Sequence, residues 1–108
     1  MKALPMLVLR YLAAVLASLL VSSEALASAE LARSKNCVAC HHAERRMIGP
    51  PFAAIAARYA NDSSAIRTLS EKILAGGSGN WGQMPMPPQS NLSQDEAEAL
   101  ARWILSPQ

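Results

Sequence analysis

The chain has two cysteines, Cys37 and Cys40, which stand three positions apart and are followed at once by His41. A disulfide between them would close a loop too short to remove much unfolded-state entropy. A redox dithiol normally stands beside a βαβ pattern, which the sequence lacks. Zinc usually takes four ligands, and the chain offers four, two cysteines and two histidines. All four lie within the six residues 37–42, which does not match the spacing of a zinc site. The CxxCH spacing therefore predicts covalent haem attachment, with one thioether from each thiol and the imidazole of His41 beneath the iron.

The first 27 residues have the features of a secretory signal peptide. A short basic start precedes an apolar stretch at 11–21, and small residues follow at 25–27. The apolar stretch is shorter than the roughly 20 residues that span a bilayer. We therefore expect cleavage after Ala27, with Ala29 as the alternative site, a mature domain over 28–108, and export to the periplasm.

The length and the charge of the chain further restrict the kind of protein it can be. The 108 residues allow one small domain, and charged residues make up 17% of them. Removing residues 1–27 takes away two basic residues and one acidic residue, which leaves 8 basic against 7 acidic. The basic residues are scattered, so no basic stripe is available to bind nucleic acid. With only 5% aromatic residues, so small a domain needs a further group to complete its core.

The hydrophobic pattern predicts an all-α fold. A short helix over 29–36 leads into the cysteine pair, and a second helix begins after Pro50-Pro51. No run of alternating apolar and polar residues predicts a strand. The apolar face of the second helix consists of Phe52, Ile55, Ala56 and Tyr59.

Two more helices are predicted towards the C-terminus. Asp62 or Ser63 can cap the third helix, and the glycines at 76–77 end it. The fourth helix begins with a capping box at 93–96 and stops before Pro107. Their predicted buried faces consist of Ile66, Leu69 and Ile73, and of Ala97, Leu100, Ala101 and Ile104.

The segment between these helices, 76–91, is long for a structureless connection and therefore suggests a functional role. Within it Met86 is flanked by Pro85 and Pro87. Because proline fixes φ and keeps the chain extended, Met86 can present its thioether sulfur at a defined point, as an axial iron ligand must. Met84 is the alternative ligand, and Met47 is a more distant one.

These motifs together resemble a short bacterial class I cytochrome c of the cytochrome c-551 group, and the match extends over nearly all of 30–106. Their order and spacing agree with that group as well as the single motifs do. The segments that carry the resemblance are Cys37-Val38-Ala39-Cys40-His41, Met47-Ile48-Gly49-Pro50, Trp81-Gly82-Gln83-Met84-Pro85-Met86-Pro87-Pro88 and Ala101-Arg102-Trp103-Ile104-Leu105.

The resemblance implies about four short helices wrapped around one covalently bound haem c. It also implies thioether bonds to both cysteines and axial ligation by His41 and Met86. In the family, the carbonyl of Pro50 accepts a hydrogen bond from the imidazole of His41, and Trp81 donates one to a haem propionate. The departures from the family pattern are His42, Lys72 and Gln89, which bear on the reduction potential rather than on ligation.

The function implied is that of a soluble, monomeric, periplasmic electron carrier and not of an enzyme. The family implies a membrane cytochrome complex as donor, and a periplasmic reductase, a peroxidase or a terminal oxidase as acceptor. Six-coordinate iron leaves no open site for a substrate, and methionine raises the reduction potential. We expect brief docking through an apolar ring around the haem edge, composed of Val38, Met47, Ile48, Met84, Pro85 and Pro87.

Two alternatives from other classes remain at this point. One is a gas-binding or peroxidase-like haem protein in which Met86 is displaceable, although the sequence offers no distal acid–base group. The other is a secreted binding module with a disulfide and no haem. The visible spectrum of the reduced protein separates all three.

Overall fold

The structure is a computed structural model that describes the backbone of residues 3–107 and the side chains of 3–19 and 28–107. Within these residues it contains four α-helices: α1 (Ala3–Ser34), α2 (Phe52–Arg58), α3 (Ala65–Ala75) and α4 (Gln94–Leu105). A short 3-10 helix, Cys37–Ala39, lies between α1 and α2. The described part has no strand beyond a single bridge between Gly77 and Met86. The all-α prediction is therefore confirmed.

Helix α1 differs from the short helix predicted over 29–36. It begins at Ala3, because the segment 3–34 is rich in alanine and leucine, which are good helix formers. It ends at Ser34 rather than at Asn36, because Asn36 takes the left-handed conformation with φ 62°. The boundary predicted after Ala27 falls within this helix. Among the described residues, no helix is both long and apolar enough to cross a membrane.

The start of α3 also differs from the prediction. Its N-cap is Ser64, and not Asp62 or Ser63, and the Ser64 side chain makes no capping bond. Instead, a carboxylate oxygen of Asp62 accepts hydrogen bonds from the backbone N–H of Ser64 at 2.8 Å and from its hydroxyl at 2.7 Å. Asp62 therefore fixes the turn before the helix, as aspartate commonly does in turns. The predicted end is confirmed, since Gly76 is the C-cap with φ 67°.

Helix α4 begins as predicted. The Ser93 hydroxyl accepts the Glu96 N–H at 3.1 Å, and the Glu96 carboxylate accepts the Ser93 N–H at 3.0 Å, which together form the capping box. Glu98 and Arg102 form an exposed ion pair at 3.7 Å, a contact of small energetic weight.

The core lies around α4, which packs against α1, α2 and α3. Of the predicted core faces, Ala56, Tyr59 and Ile66 are only partly buried, and the other members are buried. Leu92, Ala32 and Ala65 are buried as well, although the pattern did not single them out. The buried set that forms the core consists of Ala32, Phe52, Ile55, Leu69, Ile73, Leu92, Ala97, Leu100, Ala101 and Ile104.

Candidate haem site

One cavity brings together the six residues that the family resemblance assigns to haem binding. It opens between the cysteine segment, the faces of α2, α3 and α4, and the loop 76–89. The predicted residues that line it are Cys37, Cys40, His41, Pro50, Trp81 and Met86. Residues nearly 50 positions apart in the chain thus meet around a single space.

The wall of this cavity is mostly apolar. Four residues of the predicted apolar helix faces, Ile55, Ile73, Leu100 and Ile104, line the cavity and are buried. Phe52 and Leu69 complete this surface from α2 and α3. Such a wall binds a large flat hydrophobic group and excludes water from it.

The two cysteines lie in a tight turn at the edge of the cavity. The N–H of Cys40 and the N–H of His41 both donate to the carbonyl of Cys37, at 3.2 and 3.0 Å. Neither thiol is in a disulfide, and both are partly buried. Burial raises the pKa of the Cys37 thiol, and the neighbouring Cys40 raises it further, against the opposing effect of a backbone hydrogen bond. Two reduced thiols are therefore presented together at the edge of an apolar cavity.

The imidazole of His41 is held from one side by a backbone carbonyl. Its Nδ1 lies 2.7 Å from the carbonyl oxygen of Pro50. Because a carbonyl oxygen only accepts, this contact places the proton on Nδ1 and leaves the lone pair of Nε2 for a metal. The ring also stacks on Phe52, with the centroids 5.4 Å apart. These two contacts fix the rotation of the imidazole, as residues behind metal-bound histidines do.

Gly49 allows this close approach, and the sequence analysis did not single it out. A Cβ atom at this position would lie 2.6 Å from Cε1 and 2.9 Å from Nδ1 of His41. The Gly49 N–H donates to the carbonyl of Cys40 at 2.8 Å, which ties this segment to the CxxCH turn. The Gly49-Pro50 dipeptide is visible in the sequence, but only the fold shows that Gly49 faces the ring of His41.

The methionine segment returns to the body of the protein through backbone contacts. Met86 and Gly77 exchange two backbone hydrogen bonds, at 2.8 and 3.0 Å. A Cβ on Gly76 would collide with the carbonyl oxygen of Met86, so glycine is needed where the two arms of this loop meet. The Gln89 N–H donates to the carbonyl of Ile73 at 3.1 Å and fastens the segment to α3.

Met84 and Met86 both line the cavity, but their environments differ. Met84 is 67% exposed, whereas Met86 is partly buried. Met47 is exposed and does not line the cavity. The Gln89 side chain, which stands at a departure from the family pattern, donates to the Pro87 carbonyl at 3.0 Å. This hydrogen bond stabilises the backbone next to Met86.

Two arginines that the sequence analysis did not single out hold the turn that carries Trp81. Arg46 donates to the Trp81 carbonyl at 3.0 Å. Arg58 places its guanidinium 4.7 Å from the centroid of the Trp81 ring and donates to the Asn80 carbonyl. No sequence motif marks these contacts, since they join separate segments.

The other two departures from the family pattern, His42 and Lys72, differ in whether they line the cavity, and so do the members of the predicted apolar ring. His42 lies outside the cavity lining, and its Nδ1 accepts the N–H of Glu44 at 3.1 Å, so it closes a local turn. Lys72 lines the cavity. Four members of the predicted ring line it too, namely Ile48, Met84, Pro85 and Pro87, whereas Val38 and Met47 are exposed outside it.

The donor set and the cavity fit a haem: reduced thiols at the edge, an oriented imidazole, a thioether in a rigid segment and an apolar wall. The family model for Cytochrome c matches residues 25–108. The chain belongs to the cytochrome c family. It is 49% identical over 89 residues to cytochrome c-552 of Nitrosomonas europaea, covering 82% of this chain and 86% of that protein. It is 47% identical over 77 residues to cytochrome c-551 of Azotobacter vinelandii, covering 71% and 93%.

The fold agrees with solved structures of this family. The crystal structure of wild-type Nitrosomonas europaea cytochrome c552 aligns with a TM-score of 0.70 at 50% identity, covering 72% of this chain and 96% of that one. The predicted class I cytochrome c fold is thereby confirmed. Like other cytochromes c, the chain carries a covalently attached c-type haem and serves as an electron carrier rather than an enzyme.

Proposed function

We propose that this cytochrome is an exported, periplasmic, single-electron carrier whose haem is bound through Cys37 and Cys40 and ligated by His41 and Met86. When bound, the haem supplies an iron that alternates between Fe(III) and Fe(II). The observation that carries the proposal is the 2.7 Å contact between Nδ1 of His41 and the Pro50 carbonyl, in a cavity that Met86 also lines.

His41 is suited to be the permanent ligand. Its Nδ1 proton is engaged by Pro50, and Phe52 stacks against the ring, so Nε2 has a fixed position. A hydrogen bond from Nδ1–H to a carbonyl makes the imidazole a stronger donor. The geometry of His41 therefore needs little change between the two oxidation states, as rapid electron transfer requires.

Met86 is favoured over Met84 as the second ligand for two reasons. Its backbone is fixed on both sides, by the hydrogen bonds to Gly77 and by flanking prolines. Its side chain is also partly buried in the cavity, whereas that of Met84 is 67% exposed. A soft neutral thioether stabilises the reduced iron and raises the potential.

The apolar wall has a further effect on the redox equilibrium. The oxidised iron carries one more positive charge than the reduced iron, and a dry apolar surrounding disfavours that charge. Buried residues such as Leu100 and Ile104 keep water from this side of the cavity. The protein thus favours the reduced state through both its ligands and its packing.

Export and partners complete the proposal. The leader at 1–27 directs secretion, and haem is attached after export, to the domain over 28–108. A membrane cytochrome complex donates the electron, and a periplasmic reductase, a peroxidase or a terminal oxidase accepts it. The protein works as a monomer and docks through the rim formed by Ile48, Met84, Pro85 and Pro87.

Optical spectra of three proteins test the ligand assignment. We expect sharp low-spin bands in the reduced wild type and a weak near-infrared sulfur-to-iron band in its oxidised form. Met86→Ala removes the near-infrared band, and the matched control Met84→Ala keeps it. Loss of the band in Met84→Ala instead would overturn the assignment of Met86, and high-spin bands in the wild type would favour a gas-binding or peroxidase-like protein.

A further inference from the structure

The loop 76–89 carries two methionines that differ in their access to solvent. Met84 is 67% exposed, whereas Met86 is partly buried, and both line the cavity. Met86 is also tied to Gly77 by two backbone hydrogen bonds, at 2.8 and 3.0 Å. A small reagent dissolved in water therefore reaches the side chain of Met84 more readily than that of Met86.

Met84 lies at the mouth of the cavity. Within residues 28–107, the large hydrophobic side chains that are exposed are Val38, Met47, Ile48 and Met84. Of these, Ile48 at 57% and Met84 at 67% also line the cavity, which places them where it opens to solvent. Met47, at 41%, is exposed but lies outside the lining. The exposed apolar mouth therefore includes one side chain, the thioether of Met84, whose polarity can be changed chemically.

The thioether of Met84 can be oxidised without any change in charge. When hydrogen peroxide oxidises a thioether, the sulfur attacks one peroxide oxygen and an S–O bond forms as the O–O bond breaks. The departing hydroxide takes the proton of the transferred hydroxyl and leaves as water, so the sulfur loses two electrons and the peroxide gains them. The product, methionine sulfoxide, is polar, and methionine sulfoxide reductases return it to the thioether.

We propose that Met84 is a reversible oxidation site that controls electron exchange: peroxide makes the mouth of the cavity polar and weakens docking, while Met86 keeps its thioether. The inference rests on the proposed function, in which partners dock through the rim that includes Met84. Docking removes this side chain from water, which stabilises the contact when the side chain is apolar. A sulfoxide oxygen at the same place must give up its hydration, which costs free energy unless it finds a donor.

Four substitutions in the haem-loaded protein test this role. Met84→Leu keeps an apolar side chain but removes the sulfur, and Met84→Gln imitates the polar sulfoxide at a similar length. Met47→Leu is the matched control, because it removes an exposed methionine that lies outside the cavity lining. Ile48→Gln makes the mouth polar at a second position, independently of methionine chemistry.

The first readout is the rate constant of electron self-exchange, measured by NMR on mixtures of the oxidised and the reduced protein. Each exchange event requires the cavity mouths of two molecules to meet, so the rate depends on docking without any external partner. Loss of one buried methionine contact weakens an association by about tenfold. We therefore expect roughly tenfold slower exchange in peroxide-treated wild type, and in untreated Met84→Gln relative to Met84→Leu.

The second readout identifies the oxidised residue. Peptide mass spectrometry gives the oxidised fraction of each methionine, and the near-infrared band shows whether Met86 still ligates the iron. We expect peroxide to slow exchange in the wild type and in Met47→Leu but not in Met84→Leu, and methionine sulfoxide reductases to restore the wild-type rate. The same slowing in Met84→Leu, or an unchanged rate with Met84 fully oxidised, would overturn the proposal. Loss of the band before Met84 is oxidised would overturn it as well.

Ile48→Gln separates this inference from the proposed function. If Ile48→Gln slows exchange but neither Met84→Gln nor oxidised Met84 does, only the role of Met84 fails. If none of the three slows it, docking through this rim fails as well, while ligation by His41 and Met86 is still judged by the band in the untreated protein. If Met84→Gln yields no folded protein, the peroxide responses of the wild type and Met84→Leu decide the question.

Discussion

Replacing Gly49 with alanine should displace the imidazole of His41 through a single methyl group. The backbone at Gly49 has no positive φ, so alanine can adopt it without strain. The added Cβ would lie 2.6 Å from Cε1 of His41, whereas ordinary contact begins at 3.4 Å. The ring must therefore retreat by about 0.8 Å, which exceeds the range over which an N–H···O bond keeps its strength.

The expected cost follows from this displacement. Overpacking by one methyl group typically costs about 1–3 kcal/mol, and in a domain of this size each kcal/mol lowers Tm by about 4–8 °C. The hydrogen bond from His41 to Pro50 weakens as well, so the imidazole donates less to the iron and the midpoint potential rises. Thermal unfolding and potentiometric titration of the haem-loaded protein measure the two effects.

Gly79→Ala is the control for Gly49→Ala. Its Cβ would meet nothing within 4 Å, but its φ of 101° strains any residue with a side chain. It should therefore lower stability and leave the potential unchanged. A wild-type potential and wild-type Tm in Gly49→Ala would refute the reasoning, because the imidazole would then not be confined as the structure indicates.

Three further predictions concern other parts of the chain. Dilute hydrogen peroxide should oxidise Met84 to its sulfoxide before Met86, because the Met84 side chain is 67% exposed. Peptide mass spectrometry measures both rates, and equal rates would contradict the burial of Met86. Leu100→Ala should cost about 2–5 kcal/mol in chemical denaturation, because Leu100 is buried in the cavity wall, and a cost below 1 kcal/mol would refute that role. The hydrogen bond from the Ser93 N–H lowers the pKa of the Glu96 carboxyl below its ordinary value of 4.5. The ionised carboxylate therefore stabilises the folded state fully above pH 4.5, and this stabilisation is lost as the pH falls through the lowered pKa. In chemical denaturation, Glu96→Gln should therefore unfold more easily than the wild type at pH 7 and no more easily at pH 2.

Local chemistry made several elements predictable. The CxxCH spacing, the capping box at 93–96 and the glycine at the end of α3 each act within a few residues, so their signals can be read directly from the sequence. The apolar periodicities of α2, α3 and α4 likewise predicted most residues of the buried faces, although Ala56, Tyr59 and Ile66 are only partly buried.

Other features depend on segments that are distant in the chain. Nothing local predicts that Arg58 covers the Trp81 ring or that Gly49 faces His41, since each contact exists only after the loops are placed. The start of α3 was missed because Asp62 binds the N–H of Ser64 in a turn, a use of aspartate that resembles a helix cap in sequence. The long α1 differs from the predicted short helix, because the predicted cleavage after Ala27 divides a segment that is helical throughout.

The intact mass of the protein, purified from the periplasm of cells that attach haem, tests the central claim most directly. We predict the mass of a polypeptide cleaved after Ala27, or after Ala29, plus one covalently bound haem, with neither Cys37 nor Cys40 open to an alkylating reagent after denaturation. A mass without the haem, together with alkylation of both thiols, would contradict the account.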